Sequence, residues 1–317
     1  MKKALLYAVL ALSLNVFAQN PQHGLESIGN ERDRTGPAQI KTHGIQSLVD
    51  FTEAGGNQAY DPGTLIPILD SSYGWQWDTI APGWMIYDRE NNVVYDSKHN
   101  LQSYIMQDRE GGNWVNDAHY IYTYDANNRT TTRLIQQWTA GAWVNYELYT
   151  YTYDANNNQT NSLGQDWTGT DWVNYDQVKY FYDSSNNRTN LLYQKWNSGA
   201  WKNSYQVVTP YDANNNQMSY LYQTWQGDAW VNSFQNVYTY DVNNNQVSAL
   251  DQSWQNNSWV NIDMLTSTFD ATNNRITELD QSWQGSAWVN AFYGTFTYDA
   301  NNNLTHYLTN PGITAAG

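Results

Sequence analysis

Residues 153–181 read YDANNNQTNSLGQDWTGTDWVNYDQVKYF, and Tyr182-Asp183 then begins the same pattern again. The spacing between equivalent residues is 29, and it is kept without insertion or deletion from Trp114 to Leu308. A fixed spacing of this kind is the signature of tandem structural units, each of which packs against its neighbours. The chain is therefore predicted to be a repeat protein with at least seven units.

Four columns of equivalent residues define the unit. One tryptophan column consists of Trp114, Trp143, Trp172, Trp201, Trp230, Trp259 and Trp288. A second consists of Trp138, Trp167, Trp196, Trp225, Trp254 and Trp283. Aromatic-Asp pairs begin at Tyr95, Tyr124, Tyr153, Tyr182, Tyr211, Tyr240, Phe269 and Tyr298. The leucine column is Leu134, Leu163, Leu192, Leu221, Leu250, Leu279 and Leu308.

Residue types alternate with a period of two within each unit, which is typical of half-buried strands. This alternation predicts one strand from Asn158 to Trp167 and a second from Trp172 to Asp183. It places Leu163, Gln165 and Trp167 on the same face as Trp172, Asn174, Val178, Tyr180 and Tyr182. The opposite face varies between repeats and is expected to be solvated; it carries Arg133, Ser162, Leu191, Tyr220, Ala249, Glu278 and Tyr307.

The two connections in each unit have different turn chemistry. Four residues, Thr168 to Asp171, separate the two tryptophans, so both rings are expected to oppose each other across a hairpin. At the other end, side-chain parity pairs Asp154 with Asn158 and leaves a three-residue loop. The third residue of such a loop normally has a left-handed backbone, which favours Gly or Asn. That position holds Asn128, Asn157, Asn186, Asn215, Asn244, Asn273 and Asn302.

Two hairpin turns per unit predict an all-β, extended antiparallel meander of about fifteen strands, and a sheet of that width curls or spirals to cover one face. A β-solenoid with one coil per period is the alternative. The repeats are expected over residues 73–308, followed by a C-terminal tail at 309–317. Residues 19–72 show no period and are expected to form a flexible leader or an irregular cap.

The first 18 residues have the features of a secretory signal peptide: Lys2-Lys3, an apolar stretch over residues 4–14, and a small-residue cleavage pattern ending at Ala18. No later segment is apolar for long enough to cross a bilayer as a helix. We therefore expect a secreted, extracellular or outer-surface protein without a transmembrane segment.

The composition excludes cysteine chemistry and argues against negatively charged partners. Aromatic residues (15%) outnumber charged residues (14%), a balance that suits sheets better than helices. The absence of cysteine removes disulfides, a thiolate nucleophile and cysteine-based metal sites from consideration. A formal net charge of −15 argues against nucleic-acid and anionic-membrane partners.

The stretch at residues 298–305, YDANNNLT, resembles the YD repeat of Rhs-type and teneurin-type proteins, whose turn reads roughly Tyr-Asp-Ala-Asn-Gly-Asn-Leu-Thr. Asn302 stands where that family has its turn glycine. The resemblance implies a β strip that spirals into a shell. The tandem Trp-Val-Asn and Tyr-Asp pattern is also similar to repeat proteins secreted by Bacteroidetes, often ahead of a type IX sorting domain. No such domain precedes Gly317, so the resemblance implies a truncated member or one retained by another route.

Catalysis has little support in the sequence. The five histidines, His23, His43, His99, His119 and His306, show no metalloprotease spacing, and no nucleophile elbow or phosphate loop is present. The Asp-x-Asn-x-Asn runs could begin a calcium loop because they offer closely spaced oxygen ligands. The alternative is that each aspartate bonds the backbone two residues on as an Asx-turn. The calcium candidates are Asp154, Asn156, Asn158, Asp212, Asn214 and Asn216.

A band of amides beside the tryptophans is the second candidate site. Glutamines and asparagines beside indole rings suit a sugar, because a ring stacks on the pyranose and amides bond its hydroxyls. The same amides could instead satisfy each other in an aromatic core. The glycan candidates are Trp143, Trp172, Trp201, Trp230, Trp259, Gln165, Gln194 and Gln223.

The expected function is that of a secreted or cell-surface structural or adhesive repeat protein that is not an enzyme and needs no cofactor. A glycan-binding repeat module is the alternative. Its partner would be a surface protein or a polysaccharide, and the sequence leaves the oligomeric state open.

Overall fold

The computed structural model describes residues 71–78 and 83–311. The predicted signal peptide, the leader up to residue 70 and the tail beyond Pro311 lie outside these residues. The described parts form 17 strands, and no helix occurs among them. The strands are β1 (Ser72–Asp78), β2 (Gly83–Tyr95), β3 (Leu101–Glu110), β4 (Asn113–Tyr124), β5 (Thr130–Thr139), β6 (Ala142–Tyr153), β7 (Gln159–Trp167), β8 (Trp172–Tyr182), β9 (Arg188–Asn197), β10 (Ala200–Val208), β11 (Ser219–Gln226), β12 (Ala229–Tyr240), β13 (Gln246–Gln255), β14 (Ser258–Phe269), β15 (Arg275–Trp283), β16 (Trp288–Tyr298) and β17 (Leu304–Pro311).

Every strand pairs antiparallel with the next strand in the chain, from β1–β2 to β16–β17. This sequential pairing confirms an all-β antiparallel meander in one open sheet. The solenoid alternative is wrong, because stacked coils would place successive equivalent strands parallel to one another. The last strand continues to Pro311, three residues beyond the predicted end of the repeats.

The tryptophan hairpins are tighter than the sequence analysis expected. In most of them one further residue pair, such as Asn197 and Ala200, follows the tryptophan pair. The remaining two residues, Ser198 and Gly199 in this hairpin, both have positive φ, 51° and 81°. A two-residue loop of this type matches the right-handed twist of the flanking strands. The four-residue connection persists after Trp167.

Two β-bulges in each repeat reset the side-chain alternation. Within the tryptophan hairpin, Gln165 pairs with Asn174 but Gly164 pairs with Asp176, so Tyr175 is an extra residue. Near the Tyr-Asp turn, Tyr153 pairs with Gln159 but Thr152 pairs with Asn161, which leaves residue 160 extra. Both bulges recur at the 29-residue spacing, for example at residues 146, 175 and 204.

The bulges correct the predicted faces of the strands. The parity argument placed Val178 and Tyr180 beside Leu163, but Leu163 pairs with Gln177, and Val178 pairs with Ser162. An extra residue moves every following side chain to the other face, and period-two counting cannot see it. We call the face that carries Trp167, Gln165, Leu163 and Gln177 the amide face, and its opposite the tyrosine face.

The tyrosine face is the better protected of the two, although it holds the variable columns that were expected to be solvated. Arg133, Ser162, Leu191, Tyr220, Ala249 and Glu278 are half-buried, and only Tyr307 of that column is exposed. Glycines aside, eight of the nine buried residues lie on this face: Ala118, Tyr149, Tyr151, Asp176, Tyr193, Val207, Thr209 and Ser267. The ninth, Gln177, lies on the amide face.

Aromatic stacking across neighbouring strands packs the tyrosine face. Tyr193, Tyr205, Tyr222 and Phe234 form a run of rings on β9 to β12, with centroid separations of 4.7, 5.3 and 5.2 Å. Stacked pairs of this geometry stabilise a sheet beyond the effect of burial alone. Burial raises the pKa of Tyr205 to about 12, as expected for a phenol packed among other rings.

The tyrosine of five Tyr-Asp pairs bonds its repeat to the preceding one. The Tyr153 hydroxyl donates to the carbonyl oxygen of Thr130 at 2.8 Å, and the Tyr182 hydroxyl donates to that of Gln159 at 2.9 Å. The same bond spans 23 residues at Tyr124, Tyr240 and Tyr298. It satisfies a backbone oxygen at the start of a strand, where the bulge has disturbed the ladder.

Replacing Tyr153 with Phe should remove this bond and little else. We expect the Tyr153→Phe variant to lose about 0.5–1.5 kcal/mol of unfolding free energy, the usual net value of one hydrogen bond. Phe269 occupies the same column without a hydroxyl, so Phe269→Tyr is the matched opposite and should raise stability. Urea unfolding of both variants measures the effect, and equal midpoints would show that the hydroxyl contributes nothing.

Candidate functional site

The Tyr-Asp turns place an aspartate carboxylate over the backbone of a left-handed asparagine. In the turn at Asp154, Oδ1 accepts the backbone N–H groups of Asn156 and Asn158 at 2.9 and 2.8 Å. Oδ2 accepts the side-chain amide of Asn158 at 3.1 Å. The loop asparagine, Asn157, has φ of 69°, and its six equivalents have φ between 62° and 65°.

The left-handed asparagines also connect successive turns. Asn158 Nδ2 donates to Asn186 Oδ1, the loop asparagine of the next repeat, at 2.9 Å. The Arg129 guanidinium makes the equivalent bond to Asn157 Oδ1, also at 2.9 Å. Four further bonds of 2.9 Å continue this ladder: Asn187 to Asn215, Asn216 to Asn244, Asn245 to Asn273, and Asn274 to Asn302. A glycine could adopt the left-handed backbone but could not accept this bond.

The calcium candidates all belong to these turns. The carboxylate of Asp212 accepts from the backbone of Asn214 and Asn216, as that of Asp154 does from Asn156 and Asn158. The first cause of the lowered pKa of Asp212 is the backbone bond from Asn216. Across residues 71–78 and 83–311, no group of three or more His, Cys, Asp or Glu side chains could hold a metal ion. The geometry is that of an Asx-turn whose acceptor oxygens are already engaged.

The tryptophans form a row of edge-to-face pairs on the amide face. Trp167 lies directly opposite Trp172, with ring centroids 5.0 Å apart, and Trp196 lies opposite Trp201 at the same distance. The glycan candidates Trp143, Trp172, Trp201, Trp230 and Trp259 all belong to such pairs. Each of these rings is half-buried, so the row is neither a closed core nor a fully exposed platform.

The amides beside the tryptophans bond to one another. Gln165 Nε2 donates to Asn174 Oδ1 at 3.0 Å, and equivalent bonds occur across each tryptophan hairpin from β3–β4 to β15–β16. In the central repeats a further glutamine extends this bond into a chain. Gln177 donates to Gln194, which donates to Asn203, and Gln206 donates to Gln223, which donates to Asn232. The side-chain amides of the candidates Gln165, Gln194 and Gln223 therefore already donate hydrogen bonds within the protein.

The regular pattern of the amide face breaks at one place. The residue before each Tyr-Asp pair is Thr in most repeats, and its hydroxyl bridges to the next strand, as Thr239 does to Ser248 at 2.6 Å. Two consecutive repeats have Phe181 and Pro210 instead. Strand β10 ends before Pro210, and its register with β11 covers four residue pairs. A depression of about 400 Å³ lies there, lined by Phe181, Asn190, Leu192, Asn203, Gln206 and Trp230.

The sequence analysis did not single out this depression. Columns are defined by residues that are the same in most repeats, whereas Phe181 and Pro210 mark the depression because they differ from the threonine of their column. The signal that could have found it is the loss of a β-branched hydroxyl residue from one column in two adjacent units.

Comparison with solved structures returns proteins at low similarity. A protein of unknown function from Bacteroides fragilis shares 16% identity over 38% of this chain and 91% of its own, with a TM-score of 0.33. A DUF3836 family protein from Bacteroides vulgatus shares 25% identity over 27% of this chain and 90% of its own, with a TM-score of 0.24. TcdB2-TccC3-TEV shares 14% identity over 78% of this chain, with a TM-score of 0.38, and this chain spans 14% of its length.

No protein-family model matches the chain, and no curated protein matches it. Within the strands and turns that the structure describes, there is no helix with the length and apolar character needed to cross a membrane.

The asparagine ladder predicts a graded response at Asn186. Asn186→Gly keeps the left-handed backbone but removes the acceptor for Asn156 and Asn158, so it should cost about 0.5–1.5 kcal/mol. Asn186→Val adds a β-branched side chain at positive φ and should cost about 1–3 kcal/mol more. Thermal unfolding of the three proteins tests this order. A glycine variant as stable as the wild type would show that the asparagine ladder does not contribute to stability.

The turn aspartates predict how stability depends on pH. The backbone bond from Asn274, followed by the Thr272 hydroxyl bond, lowers the pKa of Asp270 from 3.8 to about 2. Because this pKa is lowered, its stabilising contribution is complete above pH 3.8 and is lost as the pH falls toward 2. We expect Asp270→Asn to be less stable than the wild type at pH 6, with the difference disappearing near pH 2.

Asp280 on the tyrosine face provides the matched opposite. Burial, and then the neighbouring Asp263 and Glu278, raise its pKa. A raised carboxyl pKa contributes stability below the unfolded value and loses it as the pH rises. Asp280→Asn should therefore be more stable than the wild type at pH 7 and equal to it in acid. Urea unfolding between pH 2 and 7 measures both variants, and parallel profiles would contradict the assignment.

Proposed function

We propose that the protein is a secreted or cell-surface structural repeat protein with an adhesive role and without catalytic activity. The observation that carries this proposal is that successive repeats share the same bonds: the tyrosine hydroxyl to a carbonyl, and the asparagine ladder. Most polar side chains singled out in the sequence bond to the backbone, to a partner across the hairpin or to the neighbouring repeat. Such a lattice builds an extended, regular surface and needs no cofactor.

The titratable groups support a structural role rather than catalysis. The shifted aspartates divide into turn residues with lowered pKa and tyrosine-face residues such as Asp176 with raised pKa, and the geometry explains each group. Asp176 accepts the Tyr193 hydroxyl at 3.0 Å among aromatic side chains.

The Tyr-Asp turns support membership of the YD-type group of repeats. The aspartate cap, the three-residue loop and the left-handed asparagine recur at one spacing and produce a continuous strip of sheet. A strip built in this way would place its tryptophan hairpins along one edge and its Tyr-Asp turns along the other. Export by the predicted signal peptide would present both edges outside the cell.

Glycan binding through the amide face is a second candidate function. One observation favours it: the tryptophans are half-buried beside amides, not enclosed in a core. Half-exposed indole rings next to hydrogen-bonding amides are the elements of a sugar-binding groove. Polysaccharide at the cell surface would then be the adhesive partner.

Removal of one whole period tests the structural proposal. Deleting residues 241–269 joins Tyr240 directly to Asp270 and preserves every column. We expect the shortened chain to stay β-rich by circular dichroism and to unfold cooperatively, with lower stability because one set of inter-repeat contacts is missing. Protease accessibility on intact source cells tests localisation in parallel. A deletion variant that fails to fold, or a protein protected inside the cell, would contradict the proposal.

A further inference from the structure

The depression on the amide face combines two aromatic rings with unpaired amide oxygen. Phe181 is 48% exposed, which is unusual for an aromatic residue inside a strand, and Trp230 lines the same depression. The Asn190 Oδ1 atom is buried and has no hydrogen-bond partner among the described residues. Buried polar atoms are usually hydrogen-bonded in folded proteins, so this oxygen is available to accept a hydrogen bond from a ligand.

The unpaired oxygen lies at a position where the threonine column is interrupted. Phe181 pairs with Asn190 across β8 and β9, at the place where Thr239 and Ser248 bridge their hydroxyls. A phenyl ring cannot donate a hydrogen bond, so Asn190 Oδ1 has no donor across the strand pair. A second such oxygen, Asn161 Oδ1, lies on the same face opposite Thr152 and Lys179, so the column threonine does not pair this oxygen either.

The lining of the depression is neutral. Its six residues are two aromatic, one aliphatic and three amide side chains, and none carries a charge. The chain as a whole carries a formal net charge of −15, which disfavours anionic ligands. A ligand for this site therefore needs an uncharged apolar face for the rings and hydroxyl donors for the amide oxygens.

We propose that this depression binds a neutral polysaccharide, with a sugar ring against Phe181 and hydroxyl groups on Asn190 and Gln206. A pyranose has the required chemistry, because its C–H face is apolar and its rim is hydroxylated. The lining residues come from β8, β9, β10 and β12, so the depression runs across several strands and suits a polymer better than a single sugar. The proposal rests on the second candidate function and gives it a location.

Two substitutions remove the site while following the pattern of the repeats. Phe181→Thr restores the residue that this column carries at Thr123, Thr152, Thr239, Thr268 and Thr297. Asn190→Ser restores the residue found at Ser219 and Ser248. Both variants should fold, because each introduces a side chain that the same environment holds elsewhere. Val173→Thr, at an exposed position on the tyrosine face, is the control.

Affinity electrophoresis of the full chain tests the proposal in gels that contain amylopectin, mannan, arabinoxylan or polygalacturonate. We expect at least one neutral polysaccharide to retard the wild type and the Val173→Thr control. Phe181→Thr and Asn190→Ser should each weaken that retardation about tenfold or more, since loss of a stacking or bonding partner changes affinity by this order. Thermal unfolding confirms that each variant is folded.

Three other outcomes would each contradict a different part of the proposal. No retardation by any polysaccharide would overturn both this site and the glycan-binding function, and would leave the structural proposal in place. Equal retardation of the wild type and both variants would keep glycan binding but overturn its location. Retardation by polygalacturonate alone would overturn the assignment to a neutral ligand.

Discussion

The left-handed asparagine in each Tyr-Asp turn is the constraint on which the rest of the structure depends. Its backbone closes a three-residue loop, and its side-chain oxygen accepts a bond from a residue 28 or 30 positions earlier, as Asn186 does from Asn158 and Asn156. An insertion of one residue anywhere in a unit would shift one end of this bond relative to the other. The strict 29-residue spacing is therefore a consequence of the ladder, and the ladder explains why asparagine stands where glycine would satisfy the backbone alone.

The bulges are the second consequence of building a sheet from such turns. Each unit has one bulge shortly after the Tyr-Asp turn, at residue 160, and a second at Tyr175. Two extra residues per unit keep the tryptophans on one face and move the tyrosines to the other. The separation of an amide face from an aromatic face thus depends on the two bulges, which the period-two pattern of the strands does not reveal.

The sequence predicts the repeat, the antiparallel meander and the turn positions because these depend on residue identity at fixed spacing. It predicts the faces only as far as the first bulge, since period-two counting places Tyr180 with Leu163 and the extra residue at Tyr175 reverses that placement. It cannot predict burial of the variable columns, because protection of Ser162 or Leu191 depends on the bulk of side chains in neighbouring strands. The depression at Phe181 is not predicted for another reason. It depends on residues that differ from the consensus of their column, and a search for the consensus does not detect such residues.

That irregularity has a thermodynamic meaning in a protein of this kind. Each repeat makes the same bonds, so the lattice tolerates a local defect as long as the units on both sides remain complete. Around Phe181 and Pro210 the strand ladder shortens to four pairs, while the turn ladder continues unbroken through Asn187 and Asn215. The turn ladder and the altered patch of the amide face are therefore separate in space. A repeat array can change the chemistry of one patch in this way without changing its architecture, so functional sites in such arrays are best sought where a column departs from its consensus while its turn does not.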